Sequence, residues 1–103
     1  MKKAKIFVDD VFAGILSEIE KGRSYKFDYD EQYGGNPVSM TMPLKERHYQ
    51  YSQFPPFFDG LLPEGIQLEA LLKIGKIDSD DYLEQLIRVG HDLVGNVTVE
   101  EMK

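Results

Sequence analysis

Three observations predict an α+β fold for this chain, a small antiparallel sheet of about five strands packed with two to three helices. Residues 4–30 alternate apolar and polar positions in short blocks separated by turn residues, the period-two pattern of strands half buried against a core. Beyond residue 60, leucines recur at helical spacing instead. The tail then returns to alternation, which brings a last strand back to the sheet.

The elements follow in order. A first strand over Ala4–Val8 turns at Asp9-Asp10 and returns from Phe12 to Ile19, with Gly14 as a bulge or a point of close backbone approach. Glu20-Lys21-Gly22 makes the next turn. In the third strand Tyr25, Phe27 and Tyr29 alternate with Ser24, Lys26 and Asp28, so one face is aromatic and buried and the other is wet. The breakers Tyr33-Gly34-Gly35-Asn36-Pro37 precede Val38–Met42, whose alternation predicts a fourth strand halted by Pro43. Leu44 to Pro56 shows neither period and reads as a loop. A short helix is expected after Pro55-Pro56, ending before Pro63. Leu68, Leu71 and Leu72 mark a second helix, and Leu83, Leu86 and Ile87 a third. For the third, Asp78 or Ser79 is the expected cap, Asp80 and Asp81 fall in its first turn, Arg88 lies near its end and Gly90 at its exit. Val97 and Val99 alternate with polar residues in the closing strand, Asn96–Glu101.

Length and charge narrow the function. At 103 residues, with no stretch of linker composition, residues 1–103 are expected to form one domain with one modest core. The absence of cysteine removes disulfides, thiolate zinc sites and cysteine nucleophiles together. The basic opening Met1-Lys2-Lys3 leads into an apolar run that Asp9 and Asp10 interrupt, which is not a signal peptide, and no stretch has the length of a membrane helix. The expected compartment is the cytoplasm. A formal net charge of -6 with no basic patch argues against direct binding of nucleic acid.

No constellation for catalysis emerges. His48 and His91 lack a second ligand at metal-binding spacing, and the glycines form neither a GK[ST] loop nor a GxGxxG turn. The pairs Asp9-Asp10 and Asp80-Asp81 are accounted for by a turn and a helix start. Asp59, Glu64 and Asp92 are the remaining acids for a small enzyme of its own, which would require a cleft and perturbed carboxylates. The sequence therefore predicts no catalytic residue, no cofactor and no metal.

Phe54 to Gly65 stays unexplained by the core alone, because Phe, Pro and Leu crowd a stretch with two glycines and three prolines. Either Phe57, Phe58, Leu61 and Leu62 plug the sheet, or stiff prolines present part of this apolar surface to a partner. The candidate partner-binding residues are Phe57, Phe58, Asp59, Leu61, Leu62, Pro63, Glu64 and Gly65.

Three blocks carry a resemblance. Pro37-Val38-Ser39-Met40-Thr41-Met42-Pro43-Leu44, Phe57-Phe58-Asp59-Gly60-Leu61-Leu62-Pro63-Glu64-Gly65, and the run from Ile87 through Arg88-Val89-Gly90-His91-Asp92-Leu93-Val94-Gly95-Asn96 to Thr98 resemble, in order and spacing, the signature blocks of the HipA N-terminal subdomain. In that family the subdomain heads a serine/threonine kinase toxin restrained by a DNA-binding antitoxin. No kinase motif is present here, so the stand-alone form resembles HipS, the small antitoxin of tripartite HipBST systems. The resemblance implies a protein that binds a HipT/HipA-like serine/threonine kinase and holds it inactive, with a HipB-like protein of the same complex handling DNA. Its alternative is an accessory subunit, or an excised N-terminal domain, that completes such a kinase and supports its fold or substrate recognition.

Overall fold

The computed structural model describes residues 1–93 and 95–102, so Val94 of the third block and the terminal Lys103 lie outside the described residues. The chain runs β1 (Lys2–Val8), β2 (Val11–Glu20), β3 (Ser24–Tyr29), β4 (His48–Tyr51), α1 (Pro56–Asp59), α2 (Gly65–Gly75), α3 (Tyr82–Arg88) and β5 (Val97–Met102). The strands form one sheet in the order β4-β3-β2-β1-β5, with every neighbouring pair antiparallel. The closing strand thus returns beside the first, as its alternation predicts.

Period two decides what each face carries. Tyr25, Phe27 and Tyr29 are buried with Ala4, Ile6 and Val8 on the face that the helices cover, while Lys5 and Glu100 stand exposed on the other. Asp9 and Asp10 make a two-residue turn, both with positive φ (51° and 65°), so that Val8 pairs with Val11. That is the turn whose twist suits a hairpin, and acidic residues tolerate it because their short side chains bond locally. Ile6 pairs with Gly14 but Phe7 with Phe12, leaving Ala13 as the extra residue of a bulge. Gly14 itself is the close approach: a Cβ there would run into the Asp28 carbonyl oxygen of β3.

Two expectations are corrected. Val38–Met42 is not a strand; it is a turn held against the sheet, with the Met42 amide bonded to the Ser39 carbonyl (3.0 Å). Its alternation misleads because Val38 and Met42 are buried while Met40 points away, and Pro37 and Pro43 supply no backbone donor at its ends. The fourth strand is His48–Tyr51, inside the stretch read as a loop. Its alternation of polar residues with Tyr49 and Tyr51 is real but only four residues long, too short for a period to stand out.

The helices also differ in detail. α1 begins after Pro55 with Pro56 at its first turn, where a missing N–H costs nothing. α3 starts at Tyr82, later than expected, with Asp81 at the N-cap position and no side-chain cap. Asp78 and Ser79 serve through their carbonyls instead, each accepting from Gln85 Nε2 at 3.2 Å. Asp80 therefore precedes the helix and pairs with Lys21, whose Nζ also lies 3.2 Å from Asp78. Arg88 ends α3, and Gly90 lets the chain pass against β5, where its carbonyl accepts from the Val99 amide (3.0 Å).

Candidate partner-binding surface

The segment from Phe57 to Gly65 divides by burial into an anchor and a display. Phe58 is fully buried, with its ring 6.0 Å from that of Phe27 and 5.2 Å from that of Phe57. It belongs to the core, so among the candidate residues it lies beneath the surface rather than on it. Phe57, Leu61 and Leu62 are half covered and pack against the core edge, Pro63 is half covered, and Asp59, Glu64 and Gly65 are exposed.

Backbone chemistry explains how these side chains are held at the surface. The Gly60, Leu61 and Leu62 amides bond back to Pro56, Phe58 and Asp59 at 3.0–3.1 Å, continuing α1 as successive tight turns. Pro63 cannot join that ladder and Glu64 is extended (φ -128°, ψ 163°), so the helical path ends there. Gly65 at φ +59° then redirects the chain into α2, a conformation in which a side chain would be strained.

α2 lies where Leu68, Leu71 and Leu72 predict a helix, and what sequence reasoning missed is its exposure. Its residues Gly-Ile-Gln-Leu-Glu-Ala-Leu-Leu-Lys-Ile-Gly are mostly apolar, yet none is buried. Leu68, Leu71 and Leu72 are half covered, and Ile66 and Ile74 stand 83% and 84% exposed. A helix apolar on more than one side ordinarily lies inside a protein. The signal was in the sequence: Ile66 and Ile74, eight residues apart, fall outside the leucine stripe. Between the α1 exit, α2 and the end of α3 runs a shallow groove of about 270 Å³, lined by Leu61, Pro63, Gln67, Val89, Asp92 and Leu93. Its walls are apolar, with Gln67 and Asp92 the polar groups.

α3 is fixed to the sheet by charge as well as by Leu83 and Leu86. Lys2 Nζ donates to Glu84 Oε1 (2.8 Å), and Arg88 Nε donates to Glu84 Oε2 (2.7 Å). Burial raises the Glu84 pKa, but these two bonds and the charges behind them outweigh it, and the carboxyl sits below its ordinary value. Burial likewise lowers Lys2, and the bond to Glu84 with the attraction of Asp81 carries it above its usual value. Beside the clasp two carboxylate oxygens, Glu18 Oε2 and Asp81 Oδ1, are buried without a hydrogen-bond partner, and burial, then repulsion from Asp81, pushes the Glu18 pKa up.

Among the described residues no group of three or more His, Asp or Glu side chains is placed to hold a metal ion, and no helix is long and apolar enough to cross a membrane. His48 lies 2.7 Å from Asp28 on the exposed face of the sheet, an ordinary cross-strand pair of β3 and β4.

A model of the HipA N-terminal domain matches residues 4–100. The chain belongs to the HipA N-terminal domain family. A relative from Haemophilus influenzae (strain ATCC 51907 / DSM 11121 / KW20 / Rd), described as an uncharacterized protein, is 28% identical over 103 residues, covering 100% of this chain and 95% of the relative. A solved structure described as the N-terminal domain of HipA toxin superposes with a TM-score of 0.80 at 24% identity, covering 100% of this chain and 94% of that one. At that identity the likeness concerns the fold, which is the five-stranded antiparallel sheet with three helices.

Proposed function

We propose that this HipA N-terminal domain protein is an antitoxin that binds a HipT/HipA-like serine/threonine kinase and holds it inactive. The observation that carries the reading is the apolar surface from Phe57 through α2: Leu61, Leu62 and Pro63 half covered at the α1 exit, Ile66 and Ile74 exposed on α2. Apolar side chains left open to solvent along one segment in this number are what a protein interface covers. Asp59 and Glu64 supply a polar rim, and Phe58 fixes the segment from below. The kinase partner and the cytoplasmic setting come from the resemblance to HipS, and residues 1–103 act as one domain. A HipB-like protein handles DNA in the complex, which suits a chain of net charge -6.

Neutralisation by this route asks little of the chain. It needs only to bind the inactive arrangement of the kinase more tightly than the active one, and an apolar plug in the kinase cleft is one way to achieve that difference. An accessory subunit would use the same surface with the opposite preference. Co-expression with the neighbouring HipA-like kinase, scored by growth and by pull-down, separates the two. Restored growth with a stable complex is the expected result. A complex with undiminished toxicity makes the chain an activating subunit, and no complex overturns the reading. Leu62→Asp in a folded chain is expected to weaken binding by roughly 30-fold or more, as loss of a central anchor does.

A further inference from the structure

We propose that the loop over residues 36–43 is a second contact for the same partner, with Met40 as an anchor seated in an apolar socket of the kinase. The proposal rests on the reading that a kinase covers the helical face. Single exposed apolar side chains are common and need no explanation. What sets Met40 apart is that it stands 95% exposed at the crest of a loop that the fold holds from beneath at many points.

The Tyr29 hydroxyl spans the base of the loop, donating to the Met42 carbonyl (2.6 Å) and accepting from the Val38 amide (2.9 Å). Tyr33 Oη donates to the Asn36 carbonyl (2.5 Å) and Tyr49 Oη to the Pro43 carbonyl (2.6 Å). Arg47 Nη1 donates to the Tyr33 carbonyl (2.8 Å), and the Tyr33 ring stacks on Tyr29 with centroids 6.0 Å apart. Val38 and Met42, two residues to either side of Met40, are buried. Across the top the Thr41 amide donates to Ser39 Oγ (3.2 Å), which lies 2.9 Å from Thr41 Oγ1.

Three tyrosine hydroxyls and a guanidinium thus order the backbone of a turn whose crest touches nothing in this chain. Ordering the backbone of a loop in advance removes from binding the entropy cost of immobilising it on association. Methionine suits the crest, because an unbranched thioether adapts to the shape of a socket. The occupant is the kinase because the loop covers the same sheet face as α1: Tyr29, which holds the loop, packs on Phe27 (4.8 Å), and Phe27 packs on Phe58 beneath the α1 segment. A partner spread over Leu62 and α2 therefore has Met40 on the same side of the sheet.

The test is titration calorimetry of the full chain against the neighbouring HipA-like kinase, with Met40→Asp, Met40→Leu and Leu62→Asp. Amide exchange at Val38 confirms that the loop stays closed in each variant. Met40→Asp is expected to weaken binding about tenfold or more, with Met40→Leu within about threefold of wild type. If Leu62→Asp loses binding while Met40→Asp keeps it within about threefold, this inference fails and the proposed function stands. A wild-type chain that does not bind overturns both.

Discussion

Glu18 lies on the helix-covered side of β2 beside Asp81, with one carboxylate oxygen buried and unpartnered. Its pKa is raised, first by burial and then by the Asp81 charge. A group whose folded pKa exceeds its unfolded value contributes stability below the unfolded pKa and loses it as pH rises through the folded one. At neutral pH the charged Glu18 is therefore a liability. Glu18→Gln is expected to stabilise the protein by about 1 kcal/mol at pH 7, the scale of one unsatisfied buried acceptor, and to gain little near pH 4. Urea unfolding at the two pH values checks it. Nothing in the strand pattern announces this, because the neighbour that perturbs Glu18 is 63 positions away in the chain. Phe58 is a second case: sequence left open whether it plugs the sheet or meets a partner, and only packing on Phe27 shows that it faces inward.

Among the elements, those with long, regular periods were legible. β1, β2, β3 and β5 lie where alternation puts them, and α3 carries its leucines inward. β4 and the loop before it were exchanged in the reading, since apolar alternation at Val38, Met40 and Met42 outscored the four residues that do pair with β3. The exit from α3 was legible as a glycine but not as a contact. Gly90 passes so close to β5 that a Cβ would run into the Val99 carbonyl, and its own carbonyl accepts the Val99 amide. Gly90→Ala is expected to cost about 1–3 kcal/mol, as overpacking does, and to speed exchange of the Val99 amide. A stability unchanged by the alanine would remove this account of the α3 to β5 junction.

For the molecule as a whole, the clasp of Lys2, Glu84 and Arg88 joins the chain's beginning to its last helix. The Glu84 pKa is lowered: burial opposes the shift, and the bonds from Lys2 and Arg88 overcome it. A lowered carboxyl contributes stability above its unfolded pKa and loses it as pH falls through the folded one. Stability is thus expected to decline on acidification below about pH 4.3, the ordinary glutamate value. Glu84→Gln is expected to flatten that part of the profile while costing about 1 kcal/mol at pH 7, a modest sum for partly exposed ion pairs. Thermal melts from pH 3 to pH 7 read both effects. Sequence by itself determined the class of fold, the strands with sustained alternation, the helical second half and the segment that carries the candidate surface, because backbone period and turn chemistry are local properties. Tertiary structure alone decided that Phe58 is core, that α2 lies on the outside and that Met40 crowns a braced loop. Each of those depends on which distant side chains arrive against it, and a single chain read in order does not contain that information.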